Sequence, residues 1–585
     1  MAKHEADSLE NVAKKLKQDM DTDQKPALKV RLEEALSGGL KEITKNPGCV
    51  DILFSVDCCG RCMLRFLGVR DFEIYELSSK EIKEILIKYR HTAITAKSEG
   101  EASTESCKDQ DVKEEDEAIC TACVGTVHYA EAVVDEIVER MQKEAYVTKT
   151  FNMNVTLPTS TLIRNHAMAI YWNQKLSSYP TAQVDIKEIF KLLISWPIER
   201  RTGLALDFGS ELRMQVGVKH EETKDDHVFL SKMKESGLII KTKRENRKTI
   251  VVGDGRHHVV KALTLVKDDR FASCGHVPPT PVSTRPQLES IEMMRESVFV
   301  GGRYLKYTRD VSQTPWSIGT TMLAELSVSG IVCETLKNAF RADEFKFVTA
   351  GREDANVRML GNGRPFYVEL INPRIPVLPS EMIKQLEGEI NTIMPDKVQI
   401  RHLAALRPED TKVIKDGEET KTKSYSALCW TSKPVTQAMV DAVNEYNGKA
   451  FFVEQQTPIR VLQRRAQMIR KKEIHSLKAF PLEGHFMVVH LHTEAGTYIK
   501  EFVHGDLGRN QPSLASIIDC EADIMELDVL EVDLEFPPPE CMPDYYHNYQ
   551  KYEHYTGAID HPDTDGRGLE VDVVVVVAEA LNYLN

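Results

Sequence analysis

The sequence predicts a mixed α/β chain of several domains, and three observations carry that reading. Strand-like and helix-like periodicities alternate along most of its length, two Cys-x-x-Cys pairs mark a small module near the start, and a proline cluster divides the remainder into two α/β units. With 585 residues, 42% of them hydrophobic, the chain can build several ordinary cores. At roughly 100 to 200 residues per domain, it holds about three to five domains and is neither a small scaffold nor a fully disordered chain.

Residues 1–48 are lysine-rich and polar, a solvated extension in which Val30, Leu32, Ala35 and Leu36 suggest one short amphipathic helix. Residues 49–123 form a cysteine module. It is interrupted at 99–117 by nine acids and two lysines, too polar a stretch to order itself. Cys59-Gly-Arg-Cys62 and Cys120-Thr-Ala-Cys123 lie 57 residues apart. Four thiolates at about 2.3 Å suit tetrahedral Zn²⁺, and the spacing within each pair lets both sulfurs face one ion. One pair alone could be coincidence or a redox dithiol; two favour one structural zinc held by Cys59, Cys62, Cys120 and Cys123. Cys58, beside Cys59, leaves the register ambiguous.

Residues 124–275 alternate between patterns such as Phe151-Asn-Met-Asn-Val-Thr-Leu157, with period two, and Ile186–Ser195, with helical spacing of Ile189, Leu192 and Leu193. Pro278, Pro279, Pro281 and Pro286 mark 276–297 as a linker. A larger α/β unit follows at 298–539. The extension at 540–585 is acidic and bears Tyr545, Tyr546, Tyr549, Tyr552 and Tyr555. Its run Val573–Val577 is too short to cross a bilayer and reads as a buried strand.

Seventy-five bases against 89 acids give a net charge of −14, which taken whole speaks against a nucleic-acid partner. The distribution reverses that inference. Residues 519–585 hold 17 acids and two bases, so the first 518 residues balance 73 bases against 72 acids. Within them, Lys232–Lys261 is +6 and Gln456–His475 is +5, the latter including Arg460, Arg464 and Arg465. Each is a credible phosphate-contacting surface, although a solvated charged face would look the same. The sequence has no apolar run long enough for a membrane span and no apolar signal core, and its 12 cysteines are sparse. These features predict an intracellular chain with reduced thiols; cytoplasm and nucleus are its expected places.

The sequence lacks G-x-x-x-x-G-K-[ST], H-E-x-x-H and G-x-S-x-G, which lowers the nucleotide-driven, zinc-hydrolase and serine-hydrolase readings. What stands out is Ala350-Gly-Arg-Glu-Asp-Ala-Asn-Val-Arg-Met-Leu-Gly-Asn-Gly-Arg-Pro-Phe366. The apolar Phe345–Val348 enters a loop holding Arg352, Asp354 and Arg358, and Gly361 and Gly363 close a second turn. Flanking cations can keep the Asp354 carboxylate ionised as a nucleophile or base. By composition alone, a solvated charged loop is the favoured reading.

An aspartate in an Arg-x-Asp loop resembles the catalytic loop of pseudouridine synthases. Four further stretches, Gly302–Trp316, Lys421–Leu428, Gln456–Arg465 and Ala495–Arg509, resemble the Pus10 family in the expected order. The resemblance implies a pseudouridine synthase catalytic domain, a mixed β-sheet flanked by helices, preceded by a zinc module and a THUMP-like α/β domain. It implies an isomerase that converts uridine to pseudouridine in the T arm of tRNA, at position 54, 55 or both, with no organic cofactor. Asp354 would be the nucleophile and Lys500 its ion-pair partner, where related synthases often carry arginine. Lysine offers a point charge instead of a bidentate fork.

Tyr425 would stack on the extruded base, with Tyr498, Arg352 and Arg358 also against substrate. The basic and aromatic stretch with Arg303, Lys306 and Arg309 would touch RNA. From pattern alone, Tyr425 also reads as a core strand tyrosine and Lys500 as an exposed helix lysine, with Thr497 as N-cap. The resemblance further suggests a monomer without membrane partners and an alternative role as a non-catalytic scaffold for microRNA precursors and their processing proteins. The first 48 residues and 540–585 depart from the family pattern; the acidic tail would bind protein or compete with RNA for the basic surfaces.

Overall fold

The computed structural model divides the chain into two units, residues 1–296 and 297–585. It describes residues 25–37, 48–95, 118–176, 183–245, 248–253, 255–318, 321–324 and 326–541. The acidic insertion at 99–117, the valine run and the tyrosines of the tail lie outside the described residues.

The first unit is built on strand β1 (Thr150–Thr156), whose period-two pattern turns Phe151, Met153 and Val155 inward. Strand β1 pairs in parallel with β2 (Ala205–Leu206) and β3 (Leu212–Lys219), and β3 pairs antiparallel with β4 (Gln287–Arg295). One apolar core runs from Leu28 to Met293 and takes in the cysteines of both Cys-x-x-Cys pairs. Helix α1 (Lys25–Ser37) contributes Leu28, Leu32 and Leu36, one residue per turn, while Arg31 pairs with Asp71 and Glu73. Helix α2 (Gly60–Leu67) carries Cys62 and has Cys59 at its N-cap. Helix α3 (Ile186–Thr202) is capped by the Asp185 carboxylate and ends at Gly203, where φ is 72°.

Three expectations are corrected here. Part of the supposed solvated extension is a docked helix, because Leu28 adds a third apolar turn to Leu32 and Leu36, while Val30 faces out. The cysteine module has no core of its own and shares that of the following α/β domain. Residues 287–295 of the proline-rich linker form a sheet strand, which the prolines permit because all four precede Gln287.

The second unit centres on a ten-stranded sheet. Its strands are β5 (Val298–Lys306), β6 (Glu344–Thr349), β7 (Val357–Ile371), β8 (Val398–Leu406), β9 (Lys423–Thr431), β10 (Phe451–Gln456), β11 (Ile469–Pro481), β12 (Phe486–Thr493), β13 (Asn510–Gln511) and β14 (Ala522–Val532). The order is β8-β5-β7-β14-β9-β12-β11-β10-β13, with β6 hydrogen-bonded to β7. Strands β7 and β14 run parallel; the other described pairs in this sheet are antiparallel. Helices α4 (Val328–Phe340), α5 (Ser380–Ile393), α6 (Gln437–Asn444) and α7 (Ile499–His504) supply apolar side chains to its core.

Gly361 and Gly363 do not close a turn. They lie inside β7, where the register against β5 slips between Met359 and Arg364. Both have positive φ, and a Cβ at Gly361 would lie 1.9 Å from the Leu530 carbonyl oxygen. Nine of the 17 C-terminal acids fall within 519–541 of this unit, so the acidity is not confined to an appendage.

Candidate active site and cysteine cluster

Residues 350–356 connect β6 to β7, and Asp354 sits at the rim of that loop. Gly351 has a φ of 96°, and a Cβ there would come within 2.9 Å of Arg364 Nη1 and 3.0 Å of Lys423 Nζ. Glycine is therefore required both for the backbone and for the close approach of two cations.

Beneath the loop lies a buried polar floor. Arg364 Nε pairs with Glu353 Oε2 at 2.8 Å, and Arg364 Nη1 donates to the Ala350 carbonyl at 2.8 Å. Tyr304 donates its hydroxyl to Glu353 at 2.7 Å, and Gln313 donates to Tyr304 Oη and to the Gly351 carbonyl. A charged pair so far from water needs added hydrogen bonds, and here the Ala350 carbonyl meets Arg364 while the Tyr304 hydroxyl meets Glu353.

Asp354 itself is turned out, its side chain 58% exposed, and Oδ2 lies 3.0 Å from Lys500 Nζ, which is 25% exposed. Burial pushes the carboxyl up, but the Lys500 hydrogen bond and charge, with Arg460 and Arg352, outweigh it and hold Asp354 below its usual range. A depressed carboxyl contributes stability above its unfolded pKa and loses it as pH falls through the folded one, so Asp354 is ionised at neutral pH.

Lys500 reaches this place because α7 packs Ile499, Phe502 and Val503 into the core. Thr497 does not cap that helix: Tyr498 occupies the N-cap position without a side-chain bond, and Thr497 donates to the Glu494 carbonyl. The basic loop after β10 closes onto the same helix. Arg460 pairs with Glu501 at 2.6 Å, and Arg465 donates to Tyr498 Oη at 3.3 Å; Arg464 and Arg352 are exposed. Tyr425 is half-buried on β9, and burial, moderated by Arg364, pushes its hydroxyl up to about 12.

The structure thus gathers Asp354, Lys500, Tyr498, Arg460 and Arg465, with Arg352 close enough to act on the carboxylate. Four other cations are placed differently. Arg358 is buried and bonds both oxygens of Asp528, its neighbour in the parallel β7–β14 register, at 2.9 and 2.7 Å. Arg303 is buried and donates to the carbonyls of Asn362, Gly363, Val532 and Leu534. Lys306 is fully buried, and Arg309 is engaged by Asp528 and Glu526. These side chains brace strands and the loop, so Arg303 and Lys306 cannot grip RNA and Arg358 does not flank Asp354.

Removing the Asp528 carboxylate takes away both oxygens that the buried Arg358 guanidinium bonds and one that Arg309 meets, so Asp528→Ala is expected to lose about 3 to 5 kcal/mol of unfolding free energy in a urea titration. Unchanged stability would contradict that role.

Lys306 Nζ donates to the carbonyls of Val311, Asp354 and Ala355 at 2.8, 3.3 and 2.7 Å, so it holds the loop by its backbone. Burial lowers this ammonium to about 8. The folded pKa lies below the unfolded one, so the burial penalty is fully present below about pH 8 and is relieved as pH rises toward about 10.4. A neutral amine has only two N–H groups for three carbonyls. Activity is therefore expected to fall above about pH 8 without a parallel loss of thermal stability, and a flat pH–rate profile to about pH 9.5 would contradict this.

In the first unit, Cys59, Cys62, Cys120 and Cys123 bring their sulfurs within 4.8 Å of one another, all buried. Cys59 begins α2 and accepts the Cys62 N–H at 3.4 Å, as in a thiolate knuckle. Gly60 is needed because a Cβ there would lie 2.5 Å from the Ser79 carbonyl oxygen. Buried Arg61 donates to the carbonyls of Tyr75 and Val127 and pairs with Glu131, tying the two knuckles together. The register ambiguity is resolved in favour of Cys59, since Cys58 is outside the four. Four buried thiols so placed could hold a metal ion.

Sequence reasoning missed Glu353, Arg364, Gln313 and Asp528, and it read Tyr304, which is fully buried, as an aromatic of the stretch that touches RNA. The signal available for Glu353 was its place between Arg352 and Asp354 in a glycine-bounded loop, where extended backbone turns the middle of three consecutive side chains to the opposite side from its neighbours.

Two family descriptions match the chain: "Pus10, C-terminal" over residues 299–533 and "Eukaryotic Pus10, N-terminal" over 120–293. The tRNA pseudouridine synthase Pus10 of Xenopus laevis is 34% identical over 84% of this chain and 98% of its own length, and that of Mus musculus is 32% identical with the same coverage. The Methanopyrus kandleri protein of the same name is 39% identical over 42% of this chain and 59% of its own. A solved Cbf5-Nop10-Gar1 complex aligns at TM-score 0.23 and 16% identity, covering 39% of this chain and 48% of that one, too distant to bear on the site. Identity at this level across nearly the full length of the vertebrate relatives makes the chain a member of the Pus10 family, whose curated members are named tRNA pseudouridine synthases.

Proposed function

We propose that this pseudouridine synthase isomerises a uridine in the T arm of tRNA, at position 54 or 55, with Asp354 as the reacting carboxylate. The observation that carries the reading is the 3.0 Å contact between an outward-facing Asp354 and Lys500, on a loop fixed from below. The reaction breaks the bond from N1 to the ribose C1′, rotates the uracil and joins C5 to C1′. The C5 proton is lost and N1 gains one, so no electron acceptor is consumed. An ionised carboxylate serves either attack on the nucleotide or proton removal. Lys500 keeps it ionised, Tyr425 and Tyr498 present aromatic faces to the extruded base, and Arg352, Arg464 and Arg465 meet phosphates.

In the first unit the four thiols fit Zn²⁺ in number, softness and burial, and a bound ion would supply structure only. The test of function is to incubate purified protein with unmodified tRNA transcript and map pseudouridine by chemical marking and sequencing. New pseudouridine at a T-arm uridine is expected. Salt-sensitive tRNA binding without conversion at any uridine would overturn the enzyme assignment and favour an RNA scaffold.

A further inference from the structure

Leu507 is 91% exposed, the most exposed large apolar side chain among the described residues. It also sits in the left-handed region, φ 56°, directly after Asp506 at φ 47°. Two consecutive non-glycine residues there are strained, and glycine or asparagine would fill either position at lower cost. The backbone is held in this shape. Asp506 donates its N–H to His504 Nδ1 at 3.0 Å, its carboxylate accepts the Ile459 N–H at 3.2 Å, and Arg509 donates to the Thr457 carbonyl at 2.7 Å.

A single exposed leucine is ordinary, but this one is held out on a turn whose left-handed backbone glycine or asparagine would adopt at lower cost, and the two together point to an external contact. Its position says which. Leu507 lies just beyond α7, whose six residues span about 9 Å and whose second residue is Lys500. The same turn is hydrogen-bonded to the loop carrying Arg460, Arg464 and Arg465, and Ile459, 44% exposed, lies on that loop.

We infer that Leu507 is an RNA wedge that packs against the bases flanking the target uridine once that uridine has left its stack. Apolar side chains inserted between bases replace lost stacking area, and the neighbouring cations suit the polyanion that carries those bases. The inference rests on the tRNA-modifying reading above and adds a substrate-positioning residue to it.

Leu507→Gly tests it, since glycine relaxes the left-handed turn and removes only the wedge. The variant is expected to be at least as heat-stable as wild type and to keep the same salt dependence of tRNA binding. Its single-turnover conversion of unmodified tRNA should fall about tenfold, equivalent to about 1.4 kcal/mol. A fluorescent adenine analogue next to the target uridine should brighten on binding wild type and not on binding Leu507→Gly, while Leu507→Phe should restore both signals. A Leu507→Gly protein that converts tRNA within about twofold of wild type, with the same fluorescence change, overturns the inference alone. A wild-type protein that binds tRNA and converts nothing overturns the functional reading and this inference with it.

Discussion

Asp354→Ala is expected to reduce pseudouridine formation by more than about 1,000-fold, since it removes the carboxylate proposed to react and no other described carboxylate takes its place beside Lys500. The effect on folding should be small. The Asp354 side chain is more than half exposed, and an exposed ion pair contributes no more than about 1 kcal/mol. Affinity for tRNA should hold or rise slightly, because one negative charge leaves a basic surface formed by Lys500, Arg460 and Arg352. Steady-state rates beside thermal unfolding and a binding titration separate these effects. A variant that is inactive because it is unfolded would contradict the picture of a loop fixed by Glu353, Arg364 and Lys306.

Cys120→Ser is expected to have the largest effect on stability. A structural Zn²⁺ contributes about 10 kcal/mol or more of apparent binding energy to the folded state, and serine replaces a thiolate by a poor ligand in a site without water access. The four sulfurs belong to the same core as Leu28, Trp172 and Met293, so loss of the ion should loosen the first unit beyond the knuckles alone. Wild type should carry one zinc per chain by elemental analysis, and Cys120→Ser should lose it together with at least about 3 kcal/mol of stability. Metal-free wild-type protein of undiminished stability would remove zinc from the account.

The parts legible in the sequence were those whose neighbours are close in the chain or whose chemistry is spelled in a motif. The period of Phe151, Met153 and Val155 marked a strand, the two Cys-x-x-Cys pairs marked the cluster, and the glycine-bounded loop marked Asp354. Lys500 was legible only through the family resemblance, because 146 residues separate it from the carboxylate it meets. Three of the misplaced cations share one cause. Arg303, Arg309 and Arg358 look like a basic surface in one dimension, yet they reach Asp528 and the carbonyls of Val532 and Leu534, on β14 and just after it, more than 150 residues away, while Lys306 turns onto the carbonyls of Val311, Asp354 and Ala355. Parallel pairing of β7 with β14 sets Arg358 beside Asp528, and no local pattern announces a parallel register. The same strand explains why much of the C-terminal acidity serves the catalytic unit.

The central claim is that the carboxylate of Asp354, kept ionised by Lys500, acts on a T-arm uridine. Its most direct test is a single-turnover reaction with protein in excess over unmodified tRNA, with pseudouridine mapped at every position for wild type and Asp354→Ala at equal tRNA occupancy. The account predicts conversion of one or both of uridines 54 and 55 by wild type and none by Asp354→Ala. Conversion by Asp354→Ala at the wild-type rate would contradict it.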